Sequence, residues 1–278
     1  MTRIRIISTA ISRLLLPALL LQPLTLFAAN QTTTASSYVG VTALNFDYEE
    51  FDDQGISLDR EQGWLPGMTA GFTYAAQAWH FGGNLRWASA TADYTSPEAD
   101  TTTDEELLDL SLYVDTPLIT RNDHRLHLRI GGGYHKWWRD IRSTDFILGL
   151  DETYHWKYAL IGLHSEHRID SQTTLTTDIH LHRVFSPKIS VNFLQSYDPV
   201  DLSLEQENGF RLSLGLNKAL GEGFLLQISP WYEYWELGRS ADADLFSNGV
   251  LVGSVFEPRS ETRGFGIDLR LCWQFDLN

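Results

Sequence analysis

The sequence predicts an all-β chain, an antiparallel transmembrane β-barrel of ten strands with long outer loops and short periplasmic turns. Three observations carry that expectation. About ten segments alternate apolar and polar residues with the period of a strand, an export signal stands ahead of them, and no other run is apolar and long enough for a membrane helix. The closing segment, Arg263 to Phe275, shows the pattern most plainly. Phe265, Ile267, Leu269, Leu271, Trp273 and Phe275 share one face, while Gly264, Gly266, Asp268, Arg270, Cys272 and Gln274 share the other. Lipid outside and a polar lumen inside account for such a strand.

Residues 1–29 read as a cleaved signal peptide. Arg3, Arg5 and Arg13 form a basic region, Leu14 to Phe27 an apolar one broken by Pro17 and Pro23, and Ala28-Ala29 a small-residue cleavage site. Residues 30–278 then form one outer-membrane barrel domain of about 249 residues, enough for a sizeable interior. Without the three leader arginines, 18 basic residues stand against 36 acidic ones. That balance disfavours nucleic acid as a partner, since phosphate contacts need a cationic surface. The single cysteine, Cys272, excludes an internal disulfide framework and reads as a small lumen-facing filler.

The wall begins at Tyr38–Glu49, where Thr42, Leu44, Phe46 and Tyr48 alternate with Ala43, Asn45, Asp47 and Glu49. Leu65–Ala75 and a third segment carrying Phe81, Leu85 and Trp87 follow. Leu107–Asp115, Arg125–Trp138, Tyr154–Arg168, Thr173–His182, Phe210–Asn217 and Phe224–Trp235 lead to the closing strand. Between them the connections alternate in length. The acidic stretches 51–63, 94–106, 139–153, 183–208 and 236–262 read as outer loops, and the shorter ones between them as periplasmic turns. Aromatic residues gather toward the outer ends, at Tyr134, Trp137 and Trp138, at Tyr154, Trp156 and Tyr158, and at Trp231, Tyr232, Tyr234 and Trp235. They are expected to form an interfacial girdle.

The wall segments Leu108-Asp109-Leu110-Ser111-Leu112, Arg125 to Tyr134 with its three glycines, and Tyr158 to Leu163 resemble the barrel wall of the omptin family of outer-membrane proteases. The resemblance implies ten strands and five outer loops. It also implies an Asp-His pair on one rim and an Asp pair across the cleft, activating a water. Asp178-Ile179-His180 is the Asp-x-His near the corresponding strand, about a turn closer to the lumen than the rim, and no Asp-x-Asp occurs between Asp93 and Glu106. The resemblance therefore extends to the wall pattern and not to the catalytic residues.

Two groups of polar residues face the expected lumen. Asp115, His127, Arg129, His164 and Glu166 should meet toward the periplasm, and Asp268 and Arg270 should pair on the closing strand beside Asn45 and Asp47. A narrow barrel must fill its interior, and buried charges need partners, so these form an interlocked polar plug. Asp178, His180 and His182 share a face at about 6.6 Å per two residues, a workable spacing for an acid and base astride a water. The expected function is a non-enzymatic surface role at the bacterial outer membrane, binding a partner or maintaining the envelope around a plugged lumen. The alternative is an omptin-like or lipid-modifying hydrolase using Asp178, His180 and His182 near the outer mouth. Neither cofactor nor metal site is expected. Outer-membrane lipid and lipopolysaccharide are the expected partners, bridged by divalent cations at the acidic loops, together with the barrel assembly machinery acting on the C-terminal strand.

Overall fold

A computed structural model describes residues 33–277, apart from residues 77, 99, 147 and 195 and the side chain at 276. The expected leader, residues 1–29, lies outside the described residues. Among the described residues thirteen strands follow in order: β1 (Thr33–Phe51), β2 (Ser57–Ala76), β3 (Trp79–Thr95), β4 (Asp100–Thr120), β5 (His124–Ile141), β6 (Leu150–Arg168), β7 (Thr173–Asn192), β8 (Val200–Ser203), β9 (Asn208–Gly221), β10 (Phe224–Leu237), β11 (Ala243–Ser247), β12 (Val250–Val255) and β13 (Arg259–Leu277). Ten of them, β1 to β7 with β9, β10 and β13, pair antiparallel round a closed wall. β1 closes it against β13 in an unbroken register from Thr33↔Leu277 to Phe51↔Arg259. β8 adds to the outer end of β7, and β11 with β12 makes a separate hairpin. The hairpin turns at Asn248-Gly249 and β9 meets β10 through Glu222-Gly223; all four residues have positive φ, the conformation of tight I′ turns.

Most wall strands run 17 to 21 residues, about 60 Å of chain at roughly 3.3 Å per residue, where a bilayer needs a band only about 25 Å tall. Much of each strand therefore stands outside the lipid. The stretches expected as long loops are in part continuations of the strands, while 183–208 also holds β8 and 236–262 the β11–β12 hairpin. Polarity excludes a segment from lipid, but it does not exclude it from a hydrogen-bonded wall standing in water.

The side-chain pattern inverts where the strands leave the membrane. Toward the turn end, apolar residues face out: Val41 of β1, Met68 of β2, Leu112 of β4, Ile130 of β5, Ile161 of β6 and Leu181 of β7 are each more than half exposed. Such a continuous apolar exterior on a closed barrel is a membrane-spanning surface. Further out the same alternation runs on with the opposite sense. Leu44, Phe46 and Tyr48 of β1 are buried inside, while Asp47 pairs with Arg60 on the outer wall at 2.6 Å. This corrects the expected girdle. Tyr134, Trp138, Tyr232 and Tyr234 stay on the outside, but Trp137, Tyr154, Trp156, Tyr158, Trp231 and Trp235 are buried within the barrel.

In β7 the interior turns apolar at Val184, and a bulge then shifts which residues face inward. Ser186 has φ 49° beside the register shift against β6, so the inward residues pass from Val184 to Ile189 and Val191. Glycines on β5 make room rather than merely curving the wall: a Cβ at Gly133 would collide with the Tyr158 ring.

Candidate functional site

The interior is layered. At the turn end lies a polar cavity of about 410 Å³, bounded at its mouth by Thr34, Asn217 and Gln274 and higher up by Tyr158 and Trp235. Arg129 of β5 dominates its wall. The register sets Arg129 opposite Asp115 of β4, which brings the two into a bidentate pair at 2.7 and 2.8 Å. The guanidinium also donates to Asp178 Oδ1 of β7 at 2.9 Å and lies 3.8 Å over the Tyr113 ring. His164 Nδ1 is 2.8 Å from the same Asp178 oxygen, and its Nε2 is 3.4 Å from Glu166 Oε1. His127 is buried between His80 and His164, with ring centroids 4.9 and 5.9 Å away. Asp115, His127, Arg129, His164, Glu166 and Asp178 thus come together on the side of β4 to β7.

Asp268 and Arg270 lie across the lumen, 2.5 Å apart. Asp268 is fully buried and also accepts from Trp231 Nε1 at 2.8 Å. Its neighbours are Thr42 and Ser229, not Asn45 and Asp47, because β1 turns its odd-numbered residues outward. A third network is one that sequence reasoning missed. Glu233 of β10 pairs with Arg211 of β9 and, at 3.4 Å, with Arg86 of β3. Both guanidiniums lie about 4 Å from the Trp231 ring, at 4.1 and 4.3 Å. All three residues belong to the polar face of their strands, which was the available signal; which charges meet across a lumen depends on barrel closure.

His180 Nε2 stands 3.7 Å from Asp178, below the aromatic layer. His182 stacks on Trp235 at 4.6 Å and faces Tyr158 at 4.9 Å. Above them His135 stacks on Trp156 at 4.2 Å, and Trp137 stacks on Tyr154 at 4.6 Å. At the outer end of β7, where the rim would need polar side chains, the inward residues are Val184, Ile189 and Val191, covered by Leu202 and Leu204. Asp178 is held by Arg129 and His164 rather than presented to the mouth. Among the described residues, no group of three or more His, Cys, Asp or Glu side chains is arranged to hold a metal. Cys272 lines the polar cavity and is a free thiol.

No family model matches the chain, and no curated protein does. Solved structures do match. The outer membrane protease OmpT from Escherichia coli superposes with a TM-score of 0.62 at 10% identity, over 88% of this chain and 97% of that one. The outer membrane protein OprG from Pseudomonas aeruginosa is matched at TM-score 0.45 and 12% identity, over 88% and 97% of the two chains. The fold is that of ten-stranded outer-membrane β-barrels, closed and antiparallel, and the apolar belt on its exterior is a membrane-spanning surface.

Proposed function

We propose that the protein is a non-enzymatic barrel of the bacterial outer membrane that displays its outer wall and hairpin to a partner or supports the envelope, with its lumen plugged. The observation that supports this reading is the packing of buried side chains across the lumen above the polar cavity. Aromatic and aliphatic side chains cross the lumen above the cavity, Asp178 is held by Arg129 and His164, and His182 is stacked on Trp235. Outer-membrane lipid and lipopolysaccharide remain the natural partners, approached through divalent cations at acidic outer-wall residues such as Asp104 and Asp151, which are exposed or nearly so. The closing strand β13 is the segment on which assembly machinery would act.

The test is turnover. Purified protein in detergent is incubated with peptide and lipopolysaccharide substrates beside a His180→Ala variant. The expected result is no hydrolysis by either. Hydrolysis that disappears in the variant overturns the reading and favours a hydrolase using Asp178, His180 and His182.

A further inference from the structure

The inward residues at the outer ends of the strands converge on one guanidinium. Arg139 of β5 meets Glu61 of β2 at 2.7 Å, Glu152 of β6 at 2.8 Å and Glu50 of β1 at 3.0 Å, with Asp59 of β2 at 3.9 Å. Two further acids complete the group. Glu105 of β4 accepts from Trp137 Nε1 and from Thr103 Oγ1, and Glu257, just ahead of β13, accepts from Tyr154 at 2.5 Å. Phenols supply the remaining hydrogen bonds: Tyr48 of β1 donates to Glu50 at 2.9 Å, and Tyr94 of β3 to Asp59 at 3.0 Å.

Six carboxyl groups thus surround one permanent cation. No other basic side chain among the described residues pairs with any of them. The centre of the group is shut off from water: Glu61 is 0% exposed, and Glu61 Oε2 and Asp59 Oδ1 are buried without a hydrogen-bond donor. It also stands outside the membrane, since the outward neighbours at this level are Asp47, Glu49, Asp104, Asp140 and Asp151. A set of buried carboxylates this crowded cannot all be ionised around a single guanidinium, because each charge would be desolvated and would repel the rest.

We infer that the Arg139 cluster is a proton-operated latch: protonated carboxyls tie the outer ends of β1, β2, β4, β5 and β6 to the segment before β13, and ionisation loosens them. Below the latch, the membrane-spanning wall is untouched. Burial favours the neutral form of five of these acids. It raises Glu61, Glu105 and Glu257 above the usual carboxyl range, Glu152 to about 7 and Asp59 to about 8. In an open, solvated form these groups return toward 3.8 for Asp and 4.5 for Glu. The closed form therefore binds more protons between those limits. Its stability is complete below about pH 4, falls as pH rises, and has lost the contributions of Glu152 and then Asp59 once each ionises. The closed-to-open constant changes about tenfold per pH unit for each proton retained.

Hydrogen exchange on the full chain in detergent, read by mass spectrometry between pH 5 and 8 and corrected for the intrinsic exchange rate, tests the latch. Peptides covering 46–62 and 136–154 should open at least about tenfold more readily for each pH unit gained. Peptides from the apolar belt serve as the internal reference and should not change. Replacing Glu61→Gln together with Glu105→Gln, neutral mimics of the protonated acids, should reduce the slope, since Asp59, Glu152 and Glu257 still titrate. Asp104→Asn, an exposed outer-wall control paired with Arg142, should leave it as it was. Equal corrected exchange at pH 5 and pH 8 in the unmodified protein overturns the inference, as does an undiminished slope in the double variant. Should that variant fail to fold, the titration of the unmodified protein decides alone.

Discussion

Removing Arg270 should destabilise the barrel more than neutralising both members of its pair. Asp268 is fully buried, and its charge is met by Arg270 at 2.5 Å and by the Trp231 indole at 2.8 Å. Arg270→Ala leaves a buried carboxylate without its directly paired cation, held by the Trp231 indole and the more distant charges of Arg86 and Arg211. Breaking a buried pair on one side costs about 3 to 5 kcal/mol, which at roughly 2 to 4 °C per kcal/mol for a domain of this size lowers the midpoint by about 6 to 20 °C. The combined Asp268→Asn and Arg270→Gln change removes the charge along with its partner. The introduced asparagine would still accept from Trp231, and the introduced glutamine is long enough to reach it. Thermal unfolding of the detergent-folded protein, followed by its heat-modifiable gel mobility, ranks the two. A midpoint for Arg270→Ala equal to or above that of the double variant refutes the plug assignment. An unchanged midpoint with loss of a bound partner places these residues in a binding site instead.

Other substitutions probe the remaining layers. Trp235→Ala, which removes the ring stacked on His182, should cost about 3 to 5 kcal/mol and still leave bilayers silent, because Phe46, Trp137 and Trp156 remain in place. That is checked by thermal unfolding beside conductance recording. Asp198 accepts from the Asn248 and Gly249 amides at 3.1 and 2.9 Å and so fixes the tip of the β11–β12 hairpin. Asp198→Ala should speed limited proteolysis there while leaving the heat-modifiable shift of the barrel unchanged. Arg129→Met strips Asp115 and Asp178 of their shared cation together and should lower the unfolding midpoint at least as far as Arg270→Ala does.

The number and order of wall strands were legible because alternation with period two survives at every level of the barrel. What that period does not contain is direction. Leu44, Phe46 and Tyr48 obey it as well as Val39 and Val41 do, yet they belong to the opposite face, and the switch occurs where lipid gives way to water. For the same reason Trp137, Tyr154 and Trp231 read as a girdle in the sequence, whereas in the structure they fill the interior. Charge alone places Arg139, Glu61 and Glu152 in loops. Their positions offered a signal: Tyr48-x-Glu50, Trp137-x-Arg139 and Glu152-x-Tyr154 each continue a buried aromatic row on the same face of its strand. The meeting of Arg129 with Asp115 could be anticipated from neighbouring strands, whereas Arg86 with Glu233 joins strands far apart in the chain and required the closed wall.

Conductance across a planar bilayer tests the filled interior most directly. The purified barrel, inserted and held at a fixed voltage at neutral pH, is expected to pass no steady current above that of the bare membrane. A stable, large conductance from the unmodified protein would contradict the account, in which the buried rings of Phe46, Trp137, Tyr154 and Trp156 obstruct the lumen.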